Sequence, residues 1–483
     1  KLLLPLVLLL PLAGHAAIVD IHVTSAADSG ANTLRQAIID GNALSASNNA
    51  PRILIDLDGS NPIVLASPLP TLTAPYFEIK GNLPARAKID GAGSHRILTL
   101  DPAVLLFKLD NVGLYNGYST STVGACVHMP GNANAGYATF SKVWIQSCKQ
   151  VTNGVANGAA VNIGRNLTVT DSTFQFNQAT GTSSVQGGAI ALFGDNKLSI
   201  TGSYLGSNRA RASGGAGVGQ ARGGAIFIAL GSSLSIKDSI LTDNDARATA
   251  NNDPAASLGG AVYAALNKSM EISRSAFNSN DSGTGGAIYQ YGTDINNATL
   301  TLDNNTIYDN LATQGSGGAV FSNSRLALRS NTFWKNSAAV AGDNLATGST
   351  GVNIDLASNN LFAAGGGAGD SCHGYATALS SGYNIVPASE CGIGSGSGDQ
   401  ITTDLHIRGA YSGPGLQYVV EMYANSPALD AGSPLTPDDN NFSACPETDM
   451  LGQPRPVDAS ATGAPARCDI GALEAQSEPS LFI

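Results

Sequence analysis

Five tetrapeptides of one kind, Gly187-Gly188-Ala189-Ile190, Gly223-Gly224-Ala225-Ile226, Gly259-Gly260-Ala261-Val262, Gly285-Gly286-Ala287-Ile288 and Gly317-Gly318-Ala319-Val320, follow one another at intervals of 36, 36, 26 and 32 residues. Each precedes a short alternating segment: Leu198-Ser199-Ile200, Leu234-Ser235-Ile236, Met270-Glu271-Ile272, Leu300-Thr301-Leu302 and Leu326-Ala327-Leu328. A further apolar residue and an asparagine close the unit, as in Ile240 to Asn244, Phe277 to Asn280, Ile307 to Asn310 and Phe333 to Asn336. Leu167-Thr168-Val169 with Phe176-Asn177 extends the pattern upstream, and Tyr204 to Asn208 continues it. Self-similarity at such periods marks a solenoid, in which only neighbouring repeats can cover each unit's apolar face. The alternation turns Leu and Ile inward and Ser, Thr, Lys and Glu outward, which is strand periodicity. The pattern predicts an all-β chain: a right-handed parallel β-helix with three short strands per coil.

Within that coil the paired glycines suit a corner with positive φ or close backbone approach, and Ala suits a narrow interior. The asparagine either adopts left-handed geometry or bonds neighbouring backbone groups, and stacked copies would form an internal amide ladder. Intervals vary because two stretches, 209–222 and 246–258, are inserted between the asparagine and the next glycine pair. They read as loops projecting from one side, a usual place for a solenoid's working face. Arg209, Arg211, Arg222 and Arg247 fall in them and are candidate ligand-binding residues for an acidic glycan. Tyr289 and Tyr291 are candidates of a second kind, because tyrosine rings can stack on sugar faces.

The ends differ from the repeats. Lys1 followed by a leucine-rich run to Ala16 reads as a cleaved secretory signal, 1–16. Residues 17–110 hold an N-terminal cap and the first coils, 111–403 the β-helix proper, 404–475 a turn-rich C-terminal cap, and 476–483 a disordered tail. Leu34, Ala37 and Ile38 are spaced for a short amphipathic helix that would cover the open end, capped by Ser29 or Asn32. The six cysteines form three sequence-local couples, Cys126 with Cys148, Cys372 with Cys391 and Cys445 with Cys468. An exported chain makes three disulfides the preferred reading, although spacing alone leaves connectivity open. Beyond the signal no apolar run reaches the length of a membrane helix. A net charge of -11 with only 13% charged residues argues against nucleic acid or anionic lipid as partner.

Four further segments carry a resemblance. Asp28-Ser29-Gly30-Ala31-Asn32-Thr33-Leu34-Arg35-Gln36-Ala37-Ile38 at the start, and Asn425-Ser426-Pro427-Ala428-Leu429-Asp430-Ala431-Gly432, Gly452-Gln453-Pro454-Arg455-Pro456 and Cys468-Asp469-Ile470-Gly471-Ala472-Leu473-Glu474 near the end, resemble signatures of bacterial secreted β-helix repeat proteins with a choice-of-anchor C-terminal region. The glycine-pair repeats are also similar to those of polymorphic outer-membrane passenger domains. The resemblance implies export and a secreted or cell-surface location. The C-terminal signature has a structural reading too: Pro427 presets a turn, and Asp430 and Asp469 accept backbone hydrogen bonds at the glycine turns that follow.

Catalytic readings find less. A glycoside hydrolase needs two carboxyl groups across the scissile bond. Adjacent Asp438 and Asp439 do not establish that, and Asp238 and Asp303, with Arg274 between them, read as turn residues. A lyase needs charge neutralisation by arginine or calcium, and no stacked acidic group is evident as a calcium site. HExxH, GxSxG and Walker motifs are absent from the sequence. The leading expectation is adhesion or glycan binding without catalysis, with polysaccharide as partner. The alternatives are a polysaccharide lyase or glycoside hydrolase, calcium being the one cofactor this would involve, and a structural spacer. Oligomeric state is left open.

Overall fold

The computed structural model describes residues 17–44, 49–131, 136–215, 218–250, 253–265, 268–292, 298–349, 351–367, 370–412, 418–458 and 466–475. The expected signal, 1–16, and tail, 476–483, lie outside the described residues. One coil shows the plan: Asn166–Thr170, Thr173–Gln175, Gln178–Gly181, Ser184–Gln186 and Ile190–Leu192, after which Lys197–Thr201 begins the next coil. Leu167 then lies beside Leu198, and Val169 beside Ile200, in parallel register. Repetition builds a first wall of 13 strands from Ile18–Val23 to Thr377–Gly382, and a second of 13 from Ile63–Val64 to Gln400–Ile401. A third wall has ten strands, from Leu98–Thr99 to Cys372–His373. The molecule is a right-handed parallel β-helix, with successive glycine-pair segments stacked in parallel.

Leu198, Leu234, Met270, Leu300 and Leu326 form one inward file of the first wall, and Phe174, Leu205, Leu241, Phe277, Ile307 and Phe333 one of the second. All are at most 2% exposed, each contributing about 1.5–3 kcal/mol through burial. The two glycines of each pair serve different ends. Gly187, Gly223, Gly259, Gly285 and Gly317 have φ from +66° to +71°. A Cβ on Gly188, Gly224, Gly260 or Gly286 would instead lie 2.0–2.1 Å from the carbonyl oxygen of the next coil's second glycine.

The amide ladder exists. Asn177, Asn208, Asn244, Asn280, Asn310 and Asn336 are buried, each Nδ2 donating to the next Oδ1 at 2.9–3.0 Å from Asn177 as far as Asn336. The left-handed residue is not the asparagine but the one before it: Phe176, Ser207, Asp243, Ser279, Asp309 or Lys335. A second ladder, unseen in the sequence, lies between the first two walls. It begins as Ser172, Ser203, Ser239 and Ser275, and continues as Asn305, Asn331, Asn360 and Asn384.

The two stretches expected as projecting loops begin and end in strand. Arg209–Ala212 and Asp245–Ala248 belong to an eight-stranded parallel sheet running from Tyr118–Ser119 to Ser337–Ala338. Gln220–Arg222 and Ser257–Leu258 belong to a four-stranded one beginning at Ala156–Asn157. The two sheets form a narrow side lobe between the second and third walls, filled by Ala179, Ala210, Ala212, Ala221, Ala246 and Ala248. Small side chains let the backbones come this close, and Gln150, buried in the Ala179 file, is the larger exception.

Helix Leu34–Ala43 buries Leu34, Ala37, Ile38 and Gly41 against the first strands; its cap is Thr33, not Ser29 or Asn32. The three disulfides pair as expected: Cys126–Cys148, Cys372–Cys391 and Cys445–Cys468. At the far end Ile393 enters the core. Beyond it, the stretch expected as a cap folds back along the outer face of the second wall as a strap. It contains an antiparallel hairpin, Ile407–Ser412 with Tyr418–Met422. Val419, Met450 and Ala472 cover Ile240 and Ala276, and Ala428 and Ile470 cover Leu361 and Ile385. Arg329 ties it down through the Asp438 and Asn441 carbonyls, and Thr332 Oγ1 accepts the Ala472 N–H.

Candidate functional site

The sequence Arg209-Ala210-Arg211-Ala212, followed one coil later by Asp245-Ala246-Arg247-Ala248, alternates in the strand sense with alanine as the buried member. The side lobe therefore takes the alanines, and the charged residues face outward. Parallel register sets Arg209 beside Asp245 and Asp245 beside Asp281, with Arg211 beside Arg247. Two like-charged arginines at neighbouring positions need carboxylates between them. Arg211 reaches Asp245 at 2.5 Å, Arg209 lies 3.4 Å from both Asp243 and Asp245, and Arg247 lies 2.8 Å from Asp281 and 3.5 Å from Asp245. Asp245, with its side chain only 8% exposed, is the hub. Burial and the Asp245 charge push the Asp281 carboxyl up, while Arg247 pulls it down.

Arg209, Asp243, Asp245 and Asp281 line one wall of a cleft of about 360 Å³ at the turn between the second wall and the eight-stranded sheet, and Arg211 and Arg247 adjoin it through Asp245 and Asp281. Asp243, Ser279, Asp309 and Lys335 supply its rim from four consecutive coils, at the left-handed positions of the turn. Leu311 and Ser337 connect it to a shallow trough of about 580 Å³ floored by Ala312, Ala338, Gly366 and Gly367. Together they form a groove along the solenoid axis, ionic and hydroxyl-bearing at one end and apolar at the other.

The remaining candidates lie elsewhere, around the third wall. Arg222, on the four-stranded sheet, donates to Gln220 at 2.5 Å and stands 5.4 Å from the Tyr263 ring centroid. Tyr289 is the third ring in a stack of Phe227, Tyr263, Tyr289 and Phe321, with centroids 5.0–5.5 Å apart and planes within 5°. Both its faces are taken, so it offers no stacking platform, and burial pushes its phenol up to about 12. Tyr291 remains 43% exposed beyond it. The structure thus brings Arg209, Arg211 and Arg247 together and separates them from Arg222, Tyr289 and Tyr291.

Sequence reasoning missed Asp243, Asp245, Asp281, Asp309 and Lys335. Their signal was position: each stands one residue before, or one after, a ladder asparagine. The carboxylates considered for catalysis have structural partners instead. Asp238 pairs with Arg274 at 2.6 Å and Asp303 with Arg329 at 2.5 Å. In the C-terminal signature, Asp469 accepts backbone N–H groups, but those of Asp430 and Ala475 rather than of the Gly471 turn, whose N–H goes to the Asn359 carbonyl. Asp430 accepts none; its buried carboxylate oxygens have no hydrogen-bond partner. Among the described residues no three His, Cys, Asp or Glu side chains converge to hold a metal ion, and no helix is long and apolar enough to cross a membrane.

Compared with known proteins, the chain matches no family model and no curated protein at significant similarity. What fold and groove define is a class: a parallel β-helix whose side lobe carries an axial groove.

Proposed function

We propose that this is an extracellular or cell-surface protein that binds glycan, in adhesion, without cleaving it. The observation carrying this reading is the groove: equivalent positions of consecutive coils present hydroxyl, amide and charged groups at the strand spacing of roughly 4.8 Å. Such a periodic, side-open surface suits an extended polymer of repeating hydroxyls better than a compact small molecule. Three disulfides favour an oxidising compartment. The likeness of residues 28–38 and of the C-terminal motifs to bacterial secreted β-helix proteins supports placement at the bacterial surface, with the C-terminal region near the anchoring end.

Catalysis is disfavoured because the carboxylates at the hub are engaged by arginines. A hydrolytic reading has one observation in its favour, the raised Asp281 carboxyl in the cleft, which suits a proton donor. One experiment separates the readings. Purified protein is incubated with neutral and acidic polysaccharides, with and without calcium, and retention, chain length and unsaturated ends are followed. Retention without shortening is expected. Shortening with unsaturated ends would establish a lyase, shortening without them a hydrolase, and no retention would favour a spacer.

A further inference from the structure

Three arginines on one sheet invite a polyanionic ligand, but they are already matched. Arg209, Arg211 and Arg247 are bound by Asp243, Asp245 and Asp281, and the rim adds one charge of each sign, Asp309, which accepts from Ser279 Oγ, and Lys335, which stands over the Trp334 ring. We infer that the glycan taken by this groove is uncharged; the inference rests on the glycan-binding reading above.

A uronate or sulfate that took an arginine from its carboxylate would leave Asp245 or Asp281 partly buried without its counter-ion, and one that used only the remaining N–H groups would lie against the carboxylates Asp243, Asp245, Asp281 and Asp309. The approach would also be opposed by a molecule of net charge -11. Sugar hydroxyls meet no such obstacle. They donate to the outer lone pairs of Asp243 and Asp309 and accept from guanidinium N–H groups that the ion pairs leave over, since each guanidinium carries five. The trough supplies the other half of the recognition. Leu311 is 40% exposed, and with the exposed Ala339 it offers an apolar surface for the C–H faces of a sugar ring. Binding of this kind depends on shape and hydrogen bonding, so it is only weakly screened by salt.

The test is retention of the whole protein on immobilised neutral glucan, mannan and xylan, and on polygalacturonate and a sulfated glycan, at low and high ionic strength. The expected result is retention by at least one neutral glycan, changing less than about twofold with salt and weakened about tenfold by Leu311→Asp. Asp281→Asn, which releases Arg247, should confer salt-sensitive retention on polygalacturonate. Salt-sensitive retention of the unsubstituted protein by a polyanion, abolished by Arg247→Gln, would overturn the inference and leave glycan binding standing. No retention on any matrix would overturn the glycan-binding reading itself, and this inference with it.

Discussion

Asn208, Asn244 and Asn280 each do two things at once inside the wall. Asn244 Oδ1 accepts both the Asn208 backbone N–H and its side-chain amide, while Asn244 Nδ2 donates to the Leu205 carbonyl and to Asn280. Removing one rung therefore strands groups on both sides. We expect Asn244→Ala to cost about 1–3 kcal/mol for each buried donor left unpaired, read as a lower urea midpoint. Ser199→Ala, on the outer face, should stay within about 0.5 kcal/mol. Equal effects would show that the ladder is not what holds the turn. The asparagines were legible because they recur with the apolar pattern. The left-handed residues before them were not: Phe176, Ser207, Asp243, Ser279, Asp309 and Lys335 share a backbone conformation but no side-chain chemistry. The serine-to-asparagine change in the second ladder hid that file for the same reason. Both residue types supply an acceptor oxygen, yet they look unrelated in sequence.

The side lobe shows where element assignment failed. Arg-Ala-Arg-Ala has the alternation of a strand, but alanine is a weak apolar signal and the stretches are rich in glycine and asparagine, so they read as loops. The interior settles it, because the apolar filling of the lobe is alanine with one valine. The strap could not be placed from sequence, since contacts such as Arg455 with Asn304 span 151 residues. The strap is braced internally by an ion pair. Arg455 is fully buried 3.4 Å from Glu474, and Arg455 donates to the Asp469 and Gly471 carbonyls. Arg455→Met would leave Glu474 buried without its partner, and we expect about 3–5 kcal/mol of lost strap stability, seen as faster hydrogen exchange in 418–475 with the coils unchanged. Burial and the Glu474 charge push the Asp469 carboxyl, ordinarily near 3.8, up to about 7. The docked strap thus holds this proton more tightly than the free chain, so docking is favoured below about 4, loses this contribution as pH rises through about 7, and is level above it. Limited proteolysis should cut the strap faster at pH 8 than at pH 6, and Asp469→Asn should flatten that difference; faster cutting at pH 6 would reverse the sign of this argument.

At the scale of the whole molecule, fold and site have different legibility. The walls repeat, so one coil predicts the next, and parallel stacking follows from needing neighbours above and below. The groove depends on which outward side chains meet across coils of unequal length, and that register appears only once the chain is wound. Arg209, Arg211 and Arg247 were identifiable, but their carboxylate partners were not, and this changes the ligand expected from acidic to neutral. Reading the groove as the working surface also sets it against the aromatic file of the third wall, whose ring faces are already occupied. The most direct measurement is hydrogen exchange with and without a neutral glycan that the protein retains. The account predicts slowed exchange in 243–245, 279–281 and 309–313, the segments lining the groove, with the third-wall strands Val262–Ala265 and Ile288–Tyr291 unchanged. Protection confined to those third-wall strands, with the groove unaffected, would contradict it.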